Sequence, residues 1–345
     1  MRARVAATLG CLLASTAAWS ADWQGSARLW VAGGGDTNVA RTFTDGGTPT
    51  LFDGVASGTL ALEGSVVHDA LAVTGTYELG GRKFFSSTFA DTVVQSAFLE
   101  PSVQVMDSLV LGAAFHGRDR RGASRDYSVL SPEAFVLLTL SEQFDLRARV
   151  GYQRFFYWPS LEASYWSIDT GATAVFRATK RHVFSAFFEY SGRTYNALAD
   201  DTDFVPIAGR IRADTVLSAG GSYSYRGVVR ASIGYAFTDS SSNSYGVSYS
   251  RHRITGVLAV PLPFEFTVLA NGALQFTRYP DNVDLDPRLV LLEDGDNTNS
   301  ISAKLVREFG EHVELDLRYA LYSSTMHVGL AYLRHVFSFG VAAKF

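Results

Sequence analysis

Residues 313–321 read Val-Glu-Leu-Asp-Leu-Arg-Tyr-Ala-Leu, with apolar and polar side chains in alternation. A period of two predicts a β-strand whose two faces meet different surroundings. Leu315 and Leu317 lie on the apolar face of this predicted strand, and Glu314 and Asp316 lie on its polar face. The same alternation recurs in many other segments of the chain, among them 71–79, 109–116 and 264–276.

The overall composition narrows the class of protein. The chain has 345 residues, with 30 Lys and Arg against 34 Asp and Glu, and this near-neutral balance argues against a broad nucleic-acid-binding surface. Only 19% of the residues are charged, below the roughly 25% of a typical soluble domain. The single cysteine, Cys11, excludes a disulfide framework and a cysteine-ligated zinc site. We therefore expect no nucleic-acid partner.

The beginning of the chain predicts a secretory signal peptide. A basic start, an apolar run over 5–14 and small residues around Trp19 form the three parts of such a peptide. We expect residues 1–20 to be removed, leaving a single mature domain at 21–345. The alternative, acylation of Cys11 as in a lipoprotein, fits less well because the apolar run ahead of it is short. On either reading the chain leaves the cytoplasm.

The predicted strands are long enough to cross a membrane. They run about ten to fifteen residues, whereas strands of soluble proteins usually have five or six. About ten tilted residues span a bilayer, and in lipid such strands must close into a barrel because an open edge would leave backbone amides unpaired. A soluble β-sandwich or a β-helix is the alternative, but so many long strands are unusual in a sandwich, and no short fixed repeat is visible. The fold class is therefore an all-β, antiparallel transmembrane β-barrel.

The end of the chain carries a second indication of this class. Apolar residues alternate up to a terminal phenylalanine, and they share one face: Phe337, Phe339, Val341 and Phe345. This ending resembles the C-terminal signal of bacterial outer-membrane β-barrel proteins, which include porins. The resemblance implies the outer membrane of a Gram-negative bacterium, contact with outer-membrane lipids, and recognition of the terminus by the barrel-insertion machinery.

The number and spacing of the predicted strands suit a barrel of moderate size. About sixteen segments can be placed, and the usual boundary errors leave 14–18 open. Short and long connections alternate, and because short turns face the periplasm in bacterial barrels, we expect both termini on the periplasmic side. The long loops are predicted at 34–54, 81–92, 119–127, 194–211 and 279–298.

The polar faces of the predicted strands supply candidates for the lining of a lumen. Acidic and basic candidates come from strands in different parts of the barrel, so they either oppose each other across the pore or pair with charges on nearby strands. Aromatic candidates on the same face suit the apolar faces of sugar rings. The lumen-lining candidates are Glu63, Glu78, Glu100, Arg147, Arg149, Arg177, Arg230, Phe98, Phe135, Phe155 and Phe187.

Signals for catalysis or metal binding are weak. The seven histidines are scattered and form no zinc motif. Ser250 and His252 share a strand face, but residues two apart on a strand are about 7 Å apart and no acidic residue orients the histidine. The acidic stretch at 294–298 lacks the glycine and glutamate of a calcium loop. We therefore expect no enzymatic activity, no cofactor and no metal.

A short motif bears on the function. Residues 33–39 read Gly-Gly-Gly-Asp-Thr-Asn-Val after the first strand, and this resembles the start of barrels that accompany surface export, including those that work with a periplasmic polysaccharide export protein. The resemblance favours a pore for a saccharide polymer in an export pathway. Two alternatives remain: a porin for small hydrophilic solutes, and a non-conducting scaffold or adhesin that acts through its extracellular loops.

Overall fold

The protein is described here from a computed structural model that covers residues 22–40, 50–122, 126–281, 299–325 and 331–345. The predicted signal peptide, 1–20, lies outside these residues. The described residues form sixteen strands and two short 3₁₀ turns, Thr88–Ala90 and Leu161–Ala163. The strands are β1 Asp22–Asp36, β2 Asp53–His68, β3 Leu71–Phe84, β4 Thr92–Met106, β5 Leu109–Arg121, β6 Tyr127–Ser141, β7 Phe144–Tyr157, β8 Tyr165–Arg177, β9 His182–Asp200, β10 Pro206–Arg226, β11 Arg230–Ser242, β12 Tyr249–Pro261, β13 Phe266–Arg278, β14 Asn299–Phe309, β15 Val313–Thr325 and β16 Ala331–Lys344.

The strands form one closed antiparallel barrel in chain order. Each strand pairs with its neighbours in the sequence, and β1 closes the ring by pairing with β16 from Arg28 opposite Lys344 to Asp36 opposite Val336. The predicted all-β barrel of about sixteen strands is confirmed. Among the described helices, none is long and apolar enough to cross a membrane.

One predicted loop is wrong. The segment 194–211 is mostly strand, because β9 continues to Asp200 and β10 begins at Pro206. Here the two strands pair with register shifts on both sides of Ile211. Where a strand extends beyond the apolar outer surface of the barrel, it keeps its backbone hydrogen bonds. Both of its faces then meet water, so apolar and polar side chains need not alternate. The sequence pattern therefore stops before the hairpin does.

The connections differ sharply between the two ends of the barrel. At the end that holds both termini, every turn has two to four residues, from Asp69–Ala70 to Gly310–His312. At the other end every connection has at least five residues. Short periplasmic turns and longer outer loops are the rule for bacterial barrels, so the predicted periplasmic location of the termini stays our expectation.

The two faces of the strands differ as the alternation predicts. Leu317 of β15 and Phe339 of β16 each expose 57% of their surface on the outside of the sheet. Asp316, between Leu315 and Leu317 in the chain, is only 2% exposed. A closed barrel that shows an apolar exterior and keeps its charges inside suits a lipid environment.

Candidate functional site in the barrel lumen

The inner face of the barrel can be identified from contacts between strands that are not neighbours. Arg28 of β1 contacts Glu314 of β15, and Arg147 of β7 contacts Glu100 of β4. Side chains on the concave face of a curved sheet converge, whereas those on the convex face diverge, so these contacts mark the inside. Residues directly opposite each other on antiparallel strands share a face, and the register therefore assigns every other inward residue. It places all of the predicted lumen-lining candidates on this face: Glu63, Glu78, Glu100, Arg147, Arg149, Arg177, Arg230, Phe98, Phe135, Phe155 and Phe187.

One side of the lumen, which we call the paired wall, is covered by a continuous chain of ion pairs. Arg147 donates from Nη2 to Glu100 at 3.0 Å and to Glu133 at 3.2 Å. Arg149 donates from Nη1 to the other oxygen of Glu133 at 2.9 Å and from Nη2 to Glu189 at 2.6 Å. The chain thus runs from β4 to β9. Pairing, rather than separation on opposed walls, describes these charges.

A separate ion pair extends the paired wall. Arg177 at the end of β8 pairs with Asp145 at the start of β7. Asp145, like Glu133 and Glu189, was not among the sequence-predicted residues. Each lies on the polar side of an alternating strand, so their face could be predicted, but their partners depend on a register that alternation does not give.

Two of the predicted aromatic residues are packed into the wall instead of presenting a ring to the lumen. Phe135 is 5% exposed, because its ring lies on Gly112 directly opposite and under the guanidinium of Arg147, 3.8 Å from the ring centroid. A Cβ at Gly112 would lie 2.3 Å from Phe135 Cζ, so any larger residue there would displace the ring. Phe155 is 4% exposed and stacks on Tyr165 at 5.1 Å.

The other two aromatic candidates are half-buried. Phe98 of β4 lies against His116 of β5, with ring centroids 4.6 Å apart. Phe187 of β9 lies over Gly220 of β10, where an added Cβ would be 2.7 Å from its ring. The aromatic residues therefore brace the inner wall, and their role as sugar platforms stays a prediction.

The junction of β1 and β16 carries a buried ion pair that we call the seam pair. Arg334 donates from Nε and Nη2 to both carboxylate oxygens of Asp36, at 2.6 to 3.1 Å. The neighbouring residues extend the junction, since Thr37 Oγ1 accepts from the His335 amide at 2.9 Å and Asn38 Nδ2 donates to the Leu333 carbonyl at 3.1 Å. The Asp-Thr-Asn sequence noted above thus fastens the first strand to the last.

A second charged cluster lies lower on the same junction. Glu314 accepts from Arg28 at 2.8 Å and from Lys304 at 2.9 Å. Asp316 accepts from Trp30 Nε1 at 2.6 Å, and the indole of Trp30 covers Gly340. These contacts connect β14 and β15 to β1 across β16, so the closing strands are held by side chains as well as by backbone hydrogen bonds.

Between these clusters lies a cavity of about 330 Å³, which we call the seam cavity. It is lined by inward residues from seven consecutive strands, β15 through the junction to β5. Four arginines and two carboxylates line it, together with hydroxyl groups of Ser57, Thr59, Thr92 and Ser338 and the rings of Trp30 and Tyr322. The charged residues are Arg82, Arg118, Arg318, Arg334, Asp36 and Glu78.

The remaining lumen candidates lie on open parts of the inner face. Glu78 lines the seam cavity, and both Glu78 and Glu63 are exposed. Arg230 is exposed on β11. Along β11, β12 and β13 no inward position holds Asp or Glu, whereas arginines occupy three inward positions: Arg230, Arg251 and Arg253.

The residues of the terminal signal lie on the outer face. Phe337, Phe339 and Val341 alternate with inward residues on β16 and are 39% to 57% exposed. Phe345 follows the strand, and its backbone exchanges two hydrogen bonds with Ala27 of β1 at 2.8 and 3.0 Å. The terminus therefore adds a backbone pair to the closing strands, and its recognition by insertion machinery stays a prediction.

The described residues show no arrangement that supports the weak sequence signals for catalysis or metal binding. His252 lies on the outer face, where its Nδ1 is 2.8 Å from the hydroxyl of Tyr235. In the part of the chain that the structure describes, no three residues of His, Cys, Asp and Glu are grouped so that they could hold a metal ion. The acidic stretch at 294–298 lies outside the described residues.

Comparison with solved structures finds the same type of barrel. No protein-family model matches the chain. No curated protein matches it either. Salmonella typhi OmpF, solved in complex with daunomycin, superposes with a TM-score of 0.53 at 11% identity, covering 94% of this chain and 97% of OmpF.

Two further structures align over similar lengths. A bacterial polysaccharide outer membrane secretin gives a TM-score of 0.46 at 7% identity, covering 92% of this chain and 98% of its own. Pseudomonas aeruginosa OpdQ gives 0.48 at 10% identity, covering 94% and 97%. The likeness to OmpF at such low identity concerns the fold. It shows that the chain has the fold of a porin-like, closed β-barrel, with an apolar exterior.

Proposed function

We propose that this protein is an outer-membrane pore for hydrophilic molecules and that its cargo is a saccharide polymer on an export pathway. In this proposal residues 1–20 are a signal peptide, both termini lie in the periplasm, and a periplasmic export protein delivers the polymer. The insertion machinery reads the terminal strand. The molecule itself is not an enzyme.

The observation that carries the pore is the polar inner surface of a sixteen-stranded barrel. Barrels of about eight strands are filled by side chains, whereas those of sixteen or more leave an aqueous channel. The described inner wall retains cavities of about 310 Å³ beside the paired wall and about 330 Å³ at the seam. Charged and hydroxyl groups line both, so water and hydrophilic solutes would be favoured over apolar ones.

Two features favour a saccharide as the cargo. The seam cavity combines hydroxyl groups with the rings of Trp30 and Tyr322, and sugars present hydroxyls at their edges and apolar faces above and below the ring. The Asp-Thr-Asn motif after β1 resembles that of export barrels. The same lumen also suits a porin for small hydrophilic solutes, and that alternative is supported equally by the lumen geometry.

Flux measurements test the pore. The mature protein is reconstituted into liposomes loaded with maltose or with maltoheptaose, and efflux is followed over time. An open pore releases maltose, and a polymer pathway also releases maltoheptaose, whereas a small-solute porin retains it. Liposomes that retain maltose as well as empty liposomes do would contradict the pore and leave the scaffold or adhesin alternative.

A gene deletion then tests the direction of transport. A strain that lacks this protein should lose a surface polymer while growing normally on small sugars. The reverse outcome, poor growth on a sugar with intact surface polymer, would replace export by uptake.

A further inference from the structure

We infer that the seam cavity is a binding site for an acidic saccharide, with Arg118 and Arg318 as the residues that recognise its carboxylates. The inference deepens the proposed pore and rests on it for the saccharide class. It is carried by the charge, exposure and position of the residues that line the cavity.

The cavity holds more positive than negative charge. Of its four arginines, Arg334 is engaged by Asp36 in the seam pair. Among the described residues that line the cavity, Arg118 and Arg318 add two positive charges, and one further carboxylate, Glu78, faces them. An anion that enters the cavity therefore meets a favourable field, which a lumen wall of low dielectric strengthens.

Arg118 and Arg318 are the arginines that can bind such an anion. Both are exposed, and among the described residues neither forms an ion pair with a carboxylate. Arg118 contacts the ring of Tyr127 at 5.9 Å and otherwise extends into the lumen. A guanidinium can bind a carboxylate through two parallel hydrogen bonds, so an exposed arginine without an acidic partner suits a carboxylate ligand.

The arrangement of the site favours a ligand of several sugar units. Arg318 on β15 and Arg118 on β5 stand at the two edges of the cavity, six strands apart around the barrel. Between them lie the hydroxyls of Ser57 and Thr59 and the ring of Trp30. Carboxylates spaced along a chain of uronic acids could reach both arginines while sugar hydroxyls and ring faces contact the wall between them.

The test compares acidic and neutral oligosaccharides of equal length. Binding of trigalacturonate and of maltotriose to the detergent-solubilised mature protein is measured by calorimetry at low and at physiological salt. We expect trigalacturonate to bind at least tenfold more tightly, with affinity falling as salt rises. Equal affinities would overturn the inference.

Matched variants separate a specific site from a general field. Arg118→Gln/Arg318→Gln should abolish the preference for trigalacturonate. Arg226→Gln, which removes an exposed inward charge from β10 on the opposite wall, should retain it. Retention of the preference in the double variant, or an equal loss in Arg226→Gln, would overturn the site. Heat-modifiable migration on gels establishes that each variant forms a barrel.

The outcome for the site is independent of the outcome for the pore. Calorimetry needs no flux, so tight binding of trigalacturonate without maltose efflux would retain the site and contradict the pore. Maltose efflux without any preference for trigalacturonate would retain the pore and overturn the site.

Discussion

The paired wall and the seam cavity both contain arginines and acidic residues, but their arginines differ in whether they are paired. On the paired wall, each guanidinium of Arg147 and Arg149 bridges two carboxylates, and the acids slightly outnumber the bases. In the seam cavity, arginines outnumber carboxylates among the described lining residues, and Arg118 and Arg318 form no ion pair with any described carboxylate. An arginine whose donors are already used stabilises the barrel, whereas one with open donors is available to a solute.

The difference arises from register. On β6, Glu133 lies diagonal to Arg149 of β7, and on β9, Glu189 lies level with it, so carboxylates are within reach on both sides. The inward neighbours of Arg318 are Lys304 directly opposite on β14 and Ser338 on β16. The Lys304 ammonium cannot accept a hydrogen bond, and the Ser338 hydroxyl carries no negative charge. A shift of one residue in either strand would turn these side chains to the lipid face.

Removing the acid from the seam pair should have the largest effect on stability. Asp36→Ala leaves the Arg334 guanidinium buried beside the cavity without its carboxylate, and breaking a buried pair in this way costs about 3–5 kcal/mol. Urea unfolding of the barrel in lipid vesicles measures the change. Glu63→Ala, at an exposed inward position, is the control and should change stability by less than about 0.5 kcal/mol.

A smaller loss is expected from the centre of the paired wall. Glu133→Ala deprives both Arg147 and Arg149 of a partner, but these arginines are about one-third exposed to water and keep Glu100 and Glu189. We expect a destabilisation of about 1–3 kcal/mol in the same urea experiment. A loss no greater than that of Glu78→Ala in the seam cavity would mean that the two regions do not differ as described.

Replacing the glycine under Phe135 on the paired wall should destabilise the barrel less than removing Glu133. Gly112→Ala places a methyl group against the ring of Phe135 and disturbs the stacking of Arg147 on that ring, so we expect about 1–2 kcal/mol. Gly256→Ala on β12 is the control, because the nearest atom to its added Cβ is 4.0 Å away. The same cost at both glycines would show that the change reflects strand propensity and not the packing of Phe135.

A charge removed from the seam cavity should change the ion selectivity of the pore but hardly change the stability of the barrel. Arg318→Gln removes an exposed charge that pairs with no carboxylate among the described residues, so the free energy of unfolding should change by less than about 0.5 kcal/mol. The anion preference of the pore, read from the reversal potential in a KCl gradient, should fall. A stable variant with unchanged reversal potential would contradict the role given to this residue.

The alternation of side chains predicted the fold well because it is a local property that each strand displays by itself. The faces of Arg147, Arg149 and Glu100 follow from it directly. Their mutual contacts do not, since Glu100 and Arg147 stand on strands three apart and meet only once the sheet is curved and closed.

The hairpin of β9 and β10 and the seam pair show the same limit. Beyond the apolar band, residues around 200 pair through backbone hydrogen bonds that leave no periodic trace in the sequence. Asp36 and Arg334 are nearly 300 positions apart in the chain, and only closure of the barrel brings them together. The Asp-Thr-Asn motif was visible in the sequence, but its role in joining β1 to β16 could not be predicted from it.

The reversal potential of the wild-type protein in a planar bilayer tests the account most directly. Under a tenfold KCl gradient we predict discrete conducting steps whose reversal potential has the sign of an anion-preferring channel. Among the described residues, the exposed inward arginines that form no ion pair, Arg118, Arg226, Arg230 and Arg318, outnumber the exposed inward carboxylates that form none, Asp22, Glu63 and Glu78. Absence of conducting steps, or a reversal potential of the opposite sign, would contradict the account.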